Sequence, residues 1–498
     1  MKWFLKQIAC WLLVPALAPA QNNKAPYDSL TAKILTKQQM QEDLQYLRKV
    51  MEEVHPGLYR YTPKPDMDRR LDSFYHQVTG PLPYYSFFNQ VSSLVAGVRC
   101  AHTHALPGPD WEAHFMANAK LIPFSTHIID DHLYVSVNLT TDTTIKPGYE
   151  IETINGERLP QILSTIYDRT WSDGYNKTSK TQRFNTGHFS LLYYMLVARP
   201  DSFTVQARDR AGRAVTVTYP AMTPTEARKY FRQNPVNKEI VRLYVDRKRE
   251  DLKLDIRKDL NAGILTIRSF GGSAAKKLGS FLPKAMKEMA QKKIGHLVID
   301  LRYNGGGWDS AGVLLFTWLI HEPSKYYLRQ HTVSDSSSYY KLSDLSPEDL
   351  ANAKNELVRE PDGTFSIKAQ YAAGLPLQYP VKQPYAGKLY FLMNGGSAST
   401  TAEFLSAARA HQLGTFIGEE AGGNYEGGNG GSFIPLYLPN SKIKVTIPIV
   451  YYDNYTKPPV VKGHGVLPDH AVPDDLDNIF RGVDTQLEYV LQLIREGK

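Results

Sequence analysis

The chain has 498 residues, 42% of them hydrophobic and 22% charged, with a formal net charge of +8. That length calls for roughly two to four domains with room for a large core. The basic excess is spread out, with no zinc-finger spacing and no basic helix, so the composition reads as a solvated surface and nucleic acid is not an expected partner.

The first twenty residues read as a cleavable signal peptide. Lys2 and Lys6 precede an apolar stretch, Ile8 to Leu17, broken by Pro15, and Ala18-Pro19-Ala20 has the small-x-small cleavage pattern. The apolar run is too short to span a bilayer. Export to a periplasm or to the medium is therefore expected. Cys10 sits too early in the leader for a lipid-anchor site. Loss of the leader leaves Cys100 as the one remaining cysteine, so the mature chain can form no internal disulfide.

An N-terminal helical domain is predicted over 21–112. Leu44, Leu47, Val50, Met51 and Val54 follow helical spacing, and His55-Pro56-Gly57 ends that helix. A second apolar helix, Tyr84 to Val98, leads into Arg99-Cys-Ala-His102-Thr-His104. Residues 115–222 read as β, with strands over Leu121–His127, His132–Val137 and Ser202–Ala207. Within them Ile145-Lys-Pro-Gly-Tyr-Glu-Ile-Glu-Thr-Ile-Asn-Gly156 makes a hairpin-like unit that resembles part of a PDZ domain, with Thr165 to Leu196 as an insertion. A helical connector, 223–252, precedes a core over 253–498. There strands and helices alternate, as in an α/β layer of mostly parallel strands, and a Tyr-rich insertion over 325–387 interrupts it.

Four stretches could carry chemistry. In Leu297-Val-Ile-Asp-Leu-Arg-Tyr-Asn-Gly-Gly-Gly-Trp308 a buried strand runs into three glycines, which let backbone amides face a ligand. Neither a G-x-G-x-x-G pattern nor a P-loop lysine is present, so a nucleotide cofactor is not expected. In Asn394-Gly-Gly-Ser-Ala-Ser399-Thr-Thr-Ala-Glu403 a small hydroxyl stands where a strand gives way to a helix and unpaired N–H groups point outward. Thr400 and Glu403 also have the spacing of a capping box, so these hydroxyls can be read as caps or as a nucleophile. His102 and His104, two apart on a strand, would share a face and could hold a metal. No further ligand cluster completes such a site, and no metal is expected. Set against Ser399, His102 becomes a base able to take the hydroxyl proton. Finally, Phe416-Ile-Gly-Glu-Glu-Ala-Gly-Gly423 with Gly427 to Gly431 reads either as a glycine-rich lip beside a site or as plain loops.

Taken in order, the His55-Pro56 helix end, Asp300-Leu-Arg-Tyr-Asn-Gly-Gly-Gly307, Ser397-Ala-Ser399, Ile417-Gly-Glu-Glu and Gly463-His-Gly-Val-Leu-Pro-Asp469 resemble the C-terminal processing peptidases, the tail-specific serine proteases. The resemblance implies a crotonase-like α/β core behind a PDZ-like domain and an exported endopeptidase acting on peptide or protein. The Ser-Lys branch of that family takes its lysine from the region after the serine helix. Here Thr400 to Ser441 contains none, and Asn424 stands about where it is expected. Cys100-Ala101-His102-Thr103 is instead similar to the Gly-His-Thr of the tricorn-like Ser-His branch. The resemblance thus implies Ser399 as nucleophile, His102 as base, and backbone N–H groups of Gly306 and Thr400 as oxyanion donors. The third member does not carry over: Lys462 occupies its place, and Asp453 and Asp469 are the candidates. A ligand-carrying branch of the same family makes a non-catalytic peptide- or lipid-binding protein the alternative.

Overall fold

The computed structural model describes residues 33–108, 115, 118–245 and 250–497. The expected leader, with Cys10, lies outside them. Helix α1 (Lys37–Val54) starts on a capping box between Thr36 and Gln39 and buries Met40, Leu44, Leu47, Val50, Met51 and Val54 on one face. Its buried Asp43 accepts the Asn440 and Ser441 N–H groups at 2.8 and 2.9 Å, tying the helix to a distant hairpin. Helices α2 (Lys64–Gln77) and α3 (Tyr84–Ala96) complete the module. The chain then turns through Arg99 at φ 58° and enters strand β1 (His104–Leu106).

Strands β2 (Phe124–Ile129), β3 (His132–Asn138), β4 (Glu150–Ile154), β5 (Ser202–Arg208) and β6 (Ala214–Pro220) form an antiparallel sheet in that order. Asn155-Gly156 closes a hairpin from β4 to Glu157-Arg158, as its turn chemistry requires. The inserted stretch is helical, with α4 (Leu159–Arg169) and α5 (Phe189–Leu196) flanking a strap over 170–188. Helices α1 and α3, this sheet and the buried residues Ile434 to Ile449 of the hairpin noted above share one continuous apolar core.

From residue 252 the chain alternates: β7 (Leu252–Arg257), β8 (Ala262–Ile267), α6 (Gly272–Gln291), β9 (His296–Asp300), α7 (Asp309–Thr317), β10 (Tyr327–Thr332), β11 (Lys388–Met393), α8 (Thr400–Ala410), β12 (Thr415–Gly418), β13 (Gly427–Tyr437), β14 (Lys444–Asn454), β15 (His470–Ala471) and α9 (Thr485–Arg495). Six strands form one sheet in the order β7-β8-β9-β11-β12-β15, parallel apart from β7. The inner strands β8, β9, β11 and β12 are covered on both faces and are mostly apolar, whereas the edge strand β7 carries Lys253 and Asp255. In β9, Leu297 and Ile299 join the core under α6, α7 and α8, while Val298 joins the core under α9. The inserted 325–387 region is not a separate body, because β10 pairs with β14, which also pairs with β13 and β1.

Two local expectations are corrected. Gly427 to Gly431 belong to β13 rather than to a loop. A Cβ on Gly427 would stand 1.9 Å from the Tyr452 carbonyl oxygen, so only glycine lets the two strands close there. His102 lies in a turn before β1, so it and His104 do not share a strand face.

Candidate active site

Two glycine loops, at the ends of β9 and β11, meet at Ser399. The Asn394 side-chain oxygen accepts from Tyr303 N and Gly396 N, both at 3.0 Å, and Ala398 N donates to Asn304 O at 3.1 Å. Ser397 Oγ donates to Leu301 O at 2.9 Å, and Asn304 Nδ2 donates to Ile267 O at 3.2 Å. The two asparagines of the sequence motifs thus stitch the loops together. Below them lies a buried charge network. Arg302 donates to both Asp300 oxygens at 2.9 and 3.0 Å and to both Asp484 oxygens at 2.7 Å, and Arg268 adds a bond to Asp300 at 2.9 Å. Burial alone would raise the Asp300 carboxyl, but Arg268 and Arg302 hold it far below the usual carboxylate range. The Asp-x-Arg of the sequence is therefore the buttress of the loop.

Helix α8 begins at Thr400, so Ser399 is its N-cap residue, at φ 55° and ψ −134°. A serine seldom adopts that conformation. Its hydroxyl makes no capping bond. The expected capping box is absent: Thr400 Oγ1 donates to Gly307 O at 3.0 Å, and Glu403 accepts from Tyr327 Oη at 2.6 Å. The Ser399 hydroxyl is thus not spent on a cap. Gly306, at φ 94°, packs directly on it, since a Cβ there would lie 2.7 Å from Ser399 Cβ and 2.9 Å from Thr400 N. The Gly306 N–H itself donates to Asn304 Oδ1 at 3.0 Å.

Behind the serine, Asp309 and Glu403 form an acidic pair among tyrosines. Burial, with the Asp309 charge, pushes the Glu403 carboxyl up to about 8, while the Tyr327 hydroxyl works against the rise. Asp309 is raised by burial as well.

His102 approaches from the N-terminal module. Its ring packs against Phe433 at 5.5 Å with the Asn429 backbone beside it, and its Nδ1 is buried without a hydrogen-bond partner. Burial pushes the imidazole below its ordinary value, and the Asp173 carboxylate and the Asn429 carbonyl pull it back up. The turn is anchored through Thr103, whose hydroxyl lies 2.7 Å from His55 Nε2. Gly57 N donates to His55 Nδ1 at 3.0 Å, and burial holds His55 neutral with its value lowered to about 4. The proton therefore sits on Nε2 and is donated to Thr103. The His55-Pro56 helix end thus does more than stop α1, because it fixes the residue between His102 and His104. His104 stacks on Trp171 at 4.6 Å, and burial drives its imidazole to about 3. Among the described residues no cluster of three or more His, Cys, Asp or Glu side chains could hold a metal. Cys100 is buried, and burial pushes its thiol up to about 12, so it packs rather than reacts.

The strap over 170–188 joins the two halves. Asn176 Nδ2 donates to Ala421 O at 2.7 Å, Thr178 Oγ1 to Glu420 O at 2.9 Å, and Gln182 Nε2 to Glu419 Oε2 at 2.7 Å. Asp173 accepts from Ala101 N at 2.7 Å. A Cβ on Gly423 would lie 3.7 Å from both Ser399 N and Asp173 Oδ2. One glycine therefore separates the serine from the strap that holds the histidine's neighbour. Gly306 and Thr400 pack against Ser399, while His102 lies on the turn whose Ala101 N–H donates to Asp173. Asp453 and Asp469 are engaged elsewhere: Asp453 pairs with His331 at 3.2 Å, and Asp469 accepts from Arg409 at 2.6 Å and from Phe416 N at 2.8 Å.

Residues 261–472 match the family model of peptidase family S41. That segment belongs to peptidase family S41. The S41 segment contains both glycine loops, Ser399 and the acidic pair, while His102 and Asp173 lie outside it. The whole chain is similar in fold to mature CPAF complexed with lactacystin, at 13% identity and a TM-score of 0.62 over 92% of this chain and 99% of that one. Mature CPAF without that compound gives 13% and 0.61 over 92% and 98%. The photosystem II D1 C-terminal processing protease aligns over 91% of this chain and 97% of its own, at 13% identity and a TM-score of 0.40. No curated protein matches in sequence. Among the described residues no helix is long and apolar enough to cross a membrane.

Proposed function

We propose that the chain is an exported serine peptidase that hydrolyses peptide bonds through an acyl-enzyme on Ser399, with a crotonase-like core and a PDZ-like β domain. The observation that carries this reading is the serine itself, strained at the N-cap of α8, without a capping bond, and packed against Gly306 inside an S41 segment. His102 takes the hydroxyl proton as Ser399 Oγ attacks the substrate carbonyl carbon. The negative charge gathers on the carbonyl oxygen, where the Thr400 N–H at the positive end of α8 is the donor best supported. Gly306 is proposed as the second donor, its N–H shared with Asn304 Oδ1. His102 then gives its proton to the leaving amine, and water attacks the ester by the same route. No cofactor takes part in this scheme.

The test is Ser399→Ala with casein and unfolded peptides as substrates. Turnover is expected to vanish while circular dichroism and the melting temperature stay near wild type. Retained turnover would refute the assignment. Saturable peptide or lipid binding by a wild-type protein that cleaves nothing would establish the carrier alternative instead.

A further inference from the structure

The Ser-His pair as described lacks the group that holds the histidine. We infer that Asp173, on the strap of the β domain, is the positioning acid of His102. The inference rests on the Ser399–His102 reading above. Three geometric facts carry it. Asp173 Oδ1 accepts from the N–H of Ala101, the residue before His102, at 2.7 Å, and Gly174 N donates to Arg99 O at 2.9 Å, so the aspartate is clamped along the turn that presents the histidine. Its Oδ2 faces the glycine strip beside the serine, since Cβ atoms on Gly428 and Gly423 would lie 3.5 and 3.7 Å from it. Across the turn, His102 Nδ1 is buried without a partner. Asp173 is only 6% exposed, and among the described residues no cation lies within ion-pairing distance of it.

A buried carboxylate without a close counter-ion is costly unless it meets a positive charge. His102 becomes positive when it takes the Ser399 proton, and the Asp173 carboxylate, which until then has only backbone N–H partners among the described residues, answers that charge. The charged and titratable groups facing Asp173 are Arg60 and Tyr61 from the N-terminal module, Cys100, Arg183 from the strap, Glu403 from α8 and Tyr451 from β14. The two arginines are bound elsewhere. Arg60 lies 3.9 Å from Glu426 and over the Tyr451 ring at 4.6 Å, and Arg183 donates to Trp171 O at 2.6 Å. Facing His102 are Asp173 and His104, the latter held neutral. Nucleophile, base and positioning acid thus come from the core, the helical module and the β domain. That division explains why no local motif contains all three.

Asp173→Asn tests the inference, because the amide oxygen can still accept from Ala101 N while the charge is gone. The expected result is a fall in kcat of about 10²- to 10⁴-fold with KM little changed, slowed fluorophosphonate labelling of Ser399, and an acid limb of kcat/KM moved to lower pH. Unchanged kcat and an unmoved acid limb overturn the inference. A role confined to holding the Arg99–Ala101 turn would lower the melting temperature without moving that limb. His102→Ala is run alongside. Loss of labelling there keeps the Ser-His reading standing whatever Asp173→Asn does, whereas wild-type labelling sinks both. Should Asp173→Asn fail to fold, nitrogen-15 NMR of His102 in the otherwise native Ser399→Ala protein decides. A proton on Nδ1 in the neutral ring supports the inference, and a proton on Nε2 alone overturns it.

Discussion

Gly306 and Ser399 are in contact so close that a methyl group on the glycine would stand 2.7 Å from the serine Cβ. The other obstacles, Ala398 O at 2.8 Å and Thr400 N at 2.9 Å, are backbone and cannot swing aside. Gly306→Ala therefore faces two penalties, the overlap and a φ of 94°. The second alone costs about 1–3 kcal/mol. Turnover is expected to fall at least about 10²-fold, because the shift displaces the loop facing the developing oxyanion. The melting temperature should drop by several degrees. A variant with wild-type kcat would show that the loop plays no part in the reaction.

The loop is only as firm as its base. Arg302, 3% exposed, bridges Asp300 and Asp484, and removing it strips Asp484 of both its arginine bonds and leaves Asp300 held by Arg268 alone. Breaking such a buried network by deleting one partner costs about 3–5 kcal/mol. Arg302→Ala should show that loss in urea denaturation and lose activity with it. Arg302→Lys is expected to recover little, since one ammonium cannot supply the bidentate bonds to both carboxylates. A cost below about 1 kcal/mol would mean that the network is incidental.

Much of this was legible in the sequence because it is local. The apolar spacing of Leu44 to Val54 gives the face that α1 buries, and the unbroken run Leu297–Ile299 marks a strand covered on both sides. The placing of Ser399 between strand and helix also follows from its neighbours. What escaped depends on contacts between distant segments. Asp173 meets Ala101 across 72 positions with no periodicity to announce it, and its one local sign is an Asp-Gly turn beside Trp171. Gly427 to Gly431 read as a loop because glycine weakens an isolated strand, yet the approach of Tyr452 demands it there. The Thr400–Glu403 box fails for a related reason. Once Ser399 takes the N-cap, the Glu403 carboxylate turns to Tyr327, a residue of the insertion.

Glu403 gives stability a defined pH dependence. Its ordinary carboxyl value is 4.5, and in the folded protein burial and Asp309 raise it to about 8. Between these values the folded chain keeps a proton that the unfolded chain releases. The stabilisation is thus complete below about pH 4.5, declines as pH rises towards about 8, and levels off above. Glu403→Gln, which can still accept from Tyr327, should flatten that decline and gain on the wild type as pH rises. Urea midpoints measured near pH 5 and near pH 8 read the difference directly. Parallel declines in both proteins would show that Glu403 is ionised in the native state.

The proposed base, His102, predicts the opposite limb of the activity profile. In the proposed scheme His102 accepts the Ser399 proton only while its imidazole is neutral, so kcat/KM should follow the neutral fraction and fall as acid protonates the ring. Burial lowers the imidazole from its ordinary 6.5, and Asp173 and the Asn429 carbonyl restore only part of that. The midpoint of the acid limb is therefore expected below 6.5, leaving the enzyme more acid-tolerant than one with an exposed histidine as base. A lysine base would place the midpoint higher, since its free value is about 10.4 and burial must depress it far to reach neutrality. Initial rates on one fluorogenic peptide across about pH 4 to 9, in buffers of constant ionic strength, locate the limb. A midpoint at or above about pH 7 would mean that a group other than His102 takes the proton.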